Sequence, residues 1–141
     1  MEIELLQSTK LTLSIQDQVS KIYEQLNPNI VQRPLVQILQ NENKVIVAVC
    51  REQEAVIGIA LLATYTVISG HRGMVEDVVV DEAHRGKGIG RKLMQKLLEE
   101  AKYRNLDEVL LFTGHHRSAA INLYKSLGFT LRESGLYNLK L

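Results

Sequence analysis

The chain has 141 residues, enough for one domain (1–141) with a single sizeable core. Its 45% hydrophobic and 23% charged content is that of an ordinary globular protein, and a net charge of +1 argues against a general nucleic-acid or anionic-membrane surface. A lone cysteine, Cys50, excludes an internal disulfide and fits a reducing cytoplasm; the acidic start Met1-Glu2-Ile3-Glu4 does not read as a signal peptide, and no apolar run approaches the ~20 residues that span a bilayer.

In chain order, residues 2–7 read as a short strand. Ser14-Ile15-Gln16-Asp17 resembles a capping box, after which Ile15, Val19, Ile22, Tyr23 and Leu26 recur at helical spacing until Asn27-Pro28-Asn29. Pro34 suits the first turn of a second, shorter helix carrying Leu35, Ile38 and Leu39. Lys44 to Arg51 and Val56 to Ile68 are β-rich runs around a polar hairpin, Glu52-Gln53-Glu54. Ser69 to Gly73 reads as a turn, and Met74 to Val80 as a strand. Ile89, Leu93, Met94, Leu97, Leu98 and Ala101 mark one face of a long helix. A strand over 108–113, a helix over 118–127 capped by Gly128, and two short strands over 129–133 and 136–141 complete the chain. The expected class is therefore α/β, a mixed, mostly antiparallel sheet flanked by helices, in the order β-α-α-β-β-β-α-β-α-β-β.

Between the strand Met74–Val80 and the long helix lies Arg85-Gly86-Lys87-Gly88-Ile89-Gly90, followed by Arg91. Glycine has no Cβ, so backbone N–H groups there can approach a bulky anion. The helix start adds unpaired N–H groups and a partial positive charge. Helix starts usually favour acidic residues, whereas Lys87 and Arg91 are cations, which points to a phosphate or pyrophosphate ligand. A Walker A loop is excluded, because Lys87 is followed by Gly88; the dinucleotide fingerprint is excluded because Arg91 stands where its third glycine belongs. What remains is Arg/Gln-x-x-Gly-x-Gly/Ala, met by Arg85, Gly88 and Gly90, beside the simpler possibility of a plain strand–helix turn.

Val75-Glu76-Asp77-Val78-Val79-Val80-Asp81 ahead of this loop and Ala120-Ile121-Asn122-Leu123-Tyr124-Lys125-Ser126-Leu127-Gly128-Phe129 after it together resemble the GCN5-related N-acetyltransferases (GNAT). The resemblance is specific from Met74 to Phe129. It implies a cytoplasmic acyltransferase that moves an acetyl group from acetyl-CoA to a primary amine by direct attack in a ternary complex. It also implies that Arg85, Gly86, Lys87, Gly88, Ile89, Gly90 and Arg91 hold the pyrophosphate. Val78, Val79 and Val80 would present their backbone to the pantetheine arm, an N–H near Val78 would polarise the thioester, and Asn122 would bond the arm. Tyr124 stands where many relatives carry the tyrosine that protonates the departing thiolate; its spacing with Ile121 and Leu127 equally allows a core role.

An alkyl amine, with a pKa of roughly 10, must lose a proton before attack. Glu76 and Asp77 are the candidate bases, Glu76 foremost, with proton removal by a water chain, or a purely structural pairing of the carboxylates, as the alternatives. Strict strand alternation predicts that they point to opposite faces and that Glu76 shares its face with Val78 and Val80. Cys50 lacks a partner for covalent catalysis, and adjacent His115 and His116 are poorly spaced for a metal, so no metal is expected. Arg33, Arg72, His115, His116 and Arg117 sit on the segments expected to surround the acceptor and hint at an anionic or phosphorylated amine, with solvated loop charges as the equal alternative. The acceptor itself, small molecule, protein amine or amino-sugar phosphate, is not legible. A CoA-binding sensor without transferase activity is the alternative function, and a monomer or a homodimer the expected assembly.

Overall fold

The computed structural model describes all residues, 1–141. Five strands form one sheet in chain order: β1 (Glu2–Leu5), β2 (Val45–Glu52), β3 (Ala55–Val67), β4 (Gly70–Val80) and β5 (Glu108–Leu111). The first three pairings are antiparallel and β4 pairs with β5 in parallel. A parallel neighbour requires a crossover, supplied by α3 (Ile89–Tyr103). The other helices are α1 (Leu13–Leu26), α2 (Leu35–Ile38) and α4 (Ser118–Ser126). No helix is long and apolar enough to cross a membrane.

The unbroken apolar runs of β2 and β3 follow from burial on both faces. Ile46, Ala48, Cys50 and Leu62 pack with Leu93, Met94 and Leu97 of α3, while Val47, Val49 and Ile59 pack with Ile15 and Ile22 of α1. Gly58 allows α3 to come close: a Cβ there would lie 3.1 Å from both Ile89 Cγ2 and Leu93 Cδ1. The start of α3, and with it the glycine loop, is thus seated directly on the sheet.

Several expected boundaries move. Thr12, not Ser14, caps α1, its hydroxyl accepting from the Ile15 N–H at 3.1 Å. β4 begins at Gly70, so the expected turn over Ser69–Gly73 is mostly strand. There Gly73 lies under the Leu62 and Leu106 side chains, and a Cβ would fall 2.7 Å from Leu62 Cδ1 and 3.1 Å from Leu106 Cδ1, so the neighbours would have to shift. The two closing strands over 129–133 and 136–141 are not formed. Their alternating apolar residues remain exposed, Leu131 at 89% and Tyr137 at 96%. Alternation gives a segment a face but no ladder partner, and the four residues of β5 offer only a short edge.

β4 departs from regular pleating at one point. Leu61 pairs with Glu76 and Ile59 with Val79, so Ala60 alone faces both Asp77 and Val78. This is a β-bulge, and Asp77 takes the left-handed conformation with φ 51°. Aspartate is one of the few residues that visits that region readily. The extra residue reverses the alternation beyond it. Val75, Val78 and Val80 pack toward α3 and Val79 toward α1. The expectation that Glu76 shares a face with Val78 and Val80 is therefore corrected.

Candidate active site

The parallel ladder between β4 and β5 ends at the pair Val75 and Leu111. Glu76–Val80 continues with β3 alone on one side, so its other backbone edge has no strand beside it. The two strands diverge there into a cleft of about 390 Å³, bounded by Glu76–Val78, the segment after β5, and Ala120 and Tyr124 of α4. An unpaired strand edge can take an extended, amide-bearing chain as an added strand.

The far end of β4 leads through Asp81 into the turn Glu82–His84 and the glycine loop. Gly86 (φ 81°) and Gly88 (φ 77°) are both left-handed, and a Cβ on either would meet no protein atom within 4 Å. Gly88 precedes α3 without any side-chain cap. The Lys92 N–H donates to the Gly88 carbonyl at 3.1 Å, and the amides before it, from Ile89 to Arg91, have no intrahelical acceptor. No acidic residue occupies the first turn. An open, side-chain-free cradle of unpaired amides at a helix start suits a bulky anion such as a phosphate or pyrophosphate. The flanking arginines have other partners. Arg85 Nε donates to the Val80 carbonyl at 3.1 Å, and Arg91 donates to the Ser126 hydroxyl at 2.6 Å, fastening α4 to the start of α3.

Glu76 and Asp77 both line the cleft, which the bulge makes possible and strict alternation forbids. Partial desolvation and then the neighbouring Asp77 charge push the carboxyl of Glu76, which keeps an exposed face, above the usual range, and burial does the same for Asp77. A raised carboxylate pKa brings its basicity closer to neutral pH, as proton removal from an amine requires. Across the cleft, burial raises the Tyr124 phenol, with Arg117 acting in the opposite sense. Its ring also packs edge-on against Phe129, centroids 6.1 Å apart, and against the core cluster. Tyr124 therefore combines the packing and cleft-lining positions that the sequence left open.

Asn122 is exposed on α4, and Cys50 is fully buried in β2. Of the basic residues expected around the acceptor, His116 and Arg117 line the cleft. Arg72 instead bonds Glu108 at 3.2 Å and Ser69 at 2.9 Å, and Arg33 and His115 are exposed.

Sequence patterns also gave no sign of a network behind the glycine loop. Gln25 of α1 donates to Asp81 at 2.8 Å and accepts from the Glu82 N–H at 2.9 Å. His84 lies 2.7 Å from Asp81 and 3.5 Å from Glu52. The Gln25 bond, foremost, and the His84 contact hold the Asp81 carboxyl below its usual range. These groups lie up to 57 residues apart, beyond the reach of local pattern.

The chain matches the acetyltransferase (GNAT) family over residues 14–129. It is 37% identical over 86 residues to an L-methionine sulfoximine/L-methionine sulfone acetyltransferase of Salmonella typhimurium, a match covering 60% of this chain and 50% of that protein. The chain spans about half the length, or less, of the first curated relatives it matches. Among solved structures, a Trypanosoma brucei acetyltransferase superposes with a TM-score of 0.80 at 22% identity, covering 99% of both chains. A predicted acetyltransferase of Clostridium acetobutylicum, solved with acetyl-CoA, superposes with a TM-score of 0.74 at 19% identity over 98% of this chain and 95% of that one.

Proposed function

Because this chain belongs to the GNAT acetyltransferase family, we propose that it transfers an acetyl group from acetyl-CoA to the primary amine of a small-molecule acceptor, in a ternary complex. One observation carries the reading: the strand edge released at Val75 and Leu111 opens onto the same cleft as Glu76, Asp77 and Tyr124, immediately ahead of the glycine loop. A donor lying along that edge from the loop would bring its reactive end between the carboxylates and the phenol. The Clostridium acetobutylicum structure, which contains acetyl-CoA on the same fold, supports the choice of donor.

Acetyl-CoA supplies an activated acyl carbon and a thiolate leaving group. The protein's part is to position and to move protons. Gly86–Gly90 offer backbone donors to the pyrophosphate, and Val78–Val80 pack through their side chains while their peptide groups face the arm. Glu76, or Asp77 beside it, takes the proton released by the amine as the C–N bond forms. Tyr124, whose phenol is protonated at neutral pH, gives a proton to sulfur as the C–S bond breaks. A cleft of about 390 Å³ falls at the small end of small-molecule pockets, roughly 300–1,000 Å³, which favours a small acceptor over a protein surface.

The test is thiol release from acetyl-CoA across a panel of primary amines, alongside calorimetric CoA binding. Acceptor-dependent release is the expected result. CoA binding without release by any amine would instead identify a coenzyme A sensor.

A further inference from the structure

The walls of the cleft carry opposite charges. On the β4 side stand Glu76 and Asp77, with Tyr23 of α1 close by: burial, and then the charges of Asp77 and Glu76, push its phenol up. On the opposite side, the segment between β5 and α4 contributes His116 and Arg117. The Arg117 N–H closes a turn onto the Gly114 carbonyl at 3.0 Å, fixing the backbone from which this side chain projects. Arg51, Arg72, Arg104 and Arg132 each pair with a carboxylate. Arg117, an exposed side chain, enters no ion pair, as is also true of Arg33, Arg85 and Arg91, but of these four it alone lines the cleft.

This distribution discriminates between acceptor classes. A simple alkylamine would satisfy the carboxylates and leave the guanidinium without a partner. An anionic acceptor held only by basic groups would face Glu76 and Asp77. A peptide N-terminus has its amine beside an amide, with no carboxylate to offer. An acceptor bearing an amine and a carboxylate a few ångströms apart satisfies both walls, and the free α-amino acid is the smallest molecule that does so.

We propose that the acceptor is a free α-amino acid, its amine held beside Glu76 and Asp77 and its carboxylate held by the Arg117 guanidinium across the cleft. Arg117 is then a specificity-determining residue. A planar guanidinium can bond a carboxylate through two parallel N–H donors, which the imidazole of His116 cannot. The proposal rests on the acetyltransferase reading above.

Thiol release is measured with L-amino acids, their α-carboxamides and the corresponding decarboxylated amines, for the wild type, Arg117→Gln and Arg117→Lys. The wild type should favour the best amino acid over its carboxamide by roughly 10–100-fold in kcat/KM, as expected for a charge-assisted contact. Arg117→Gln should remove most of that preference, chiefly through the acceptor KM. The KM for acetyl-CoA should stay in place. Because Arg117 also acts on the Tyr124 phenol, any change in kcat should be common to acid and carboxamide, so the ratio between them is the readout. Arg117→Lys should restore part of the preference. A carboxamide used as well as its acid would overturn the proposal, as would an equal loss on both or a raised acetyl-CoA KM in Arg117→Gln. Turnover confined to amines without a carboxylate overturns it while leaving the acetyltransferase reading intact. Absence of release with every amine, despite CoA binding, removes both.

Discussion

Gly88 is where donor binding can be separated from folding. It precedes α3 with φ 77° and ψ 15°, and a Cβ there would meet no protein atom within 4 Å. In Gly88→Val the penalty in the free protein is therefore backbone strain rather than collision, about 1–2 kcal/mol for a left-handed non-glycine residue. For a chain of 141 residues that lowers Tm by about 3–7 °C, leaving a folded protein. The added side chain would occupy the space through which the amides of Ile89 to Arg91 are reached. Losing even one charge-assisted hydrogen bond to the pyrophosphate costs about 1.5–3 kcal/mol, so CoA affinity should fall at least ~10-fold. Thermal melts followed by circular dichroism give the first quantity and calorimetric titration with CoA the second. Gly88→Ala, with less bulk, provides a milder variant should valine prove too strained. Wild-type CoA affinity in a folded Gly88→Val protein would refute the pyrophosphate role of the loop.

Gly73→Ala should show the reverse behaviour. Its Cβ would fall 2.7 Å from Leu62 Cδ1, an overpacking worth about 1–3 kcal/mol in a denaturant melt, with CoA affinity unchanged. Tyr124→Phe keeps the contact with Phe129 but removes the hydroxyl proposed as proton donor; turnover in the thiol-release assay should drop about 10²–10⁴-fold while acetyl-CoA affinity holds, and unchanged turnover would make Tyr124 a packing residue. Glu76→Gln should slow turnover most near neutral pH and recover partly as rising pH supplies free amine. Because the wild-type carboxyl is raised, the base is lost as pH falls through a value above the ordinary carboxylate range, and kcat profiles of both proteins should show that acid limb only in the wild type.

The features visible in the sequence are those set by neighbouring residues. The hairpin expected at Glu52-Gln53-Glu54, which narrows to Gln53-Glu54 between β2 and β3, the apolar face of α3 and the glycine loop all lie within single local patterns, and all form. Gly70-His71-Arg72-Gly73 carries no strand signal, yet joins β4 because Val67 to Thr64 provide a ladder for it. The C-terminal residues show the converse, a strand-like pattern without a pairing partner. Glu76 and Tyr124 stand out in the sequence as candidate reactive groups, but their placement does not. Whether Asp77 joins Glu76 in the cleft depends on one backbone conformation, and the clamp from Gln25 to Asp81 depends on contacts between distant segments.

The bulge at Asp77 is a phase shift of one residue, and three identical valines make it silent. Both sides of the sheet receive the same side chain from Val78, Val79 and Val80, so their composition holds no record of which faces α1 and which faces α3. A conservative apolar exchange at any of the three leaves the backbone ribbon intact. Deleting Asp77 would preserve every valine yet turn the ribbon over, moving the following loop's attachment point to the opposite side of the sheet.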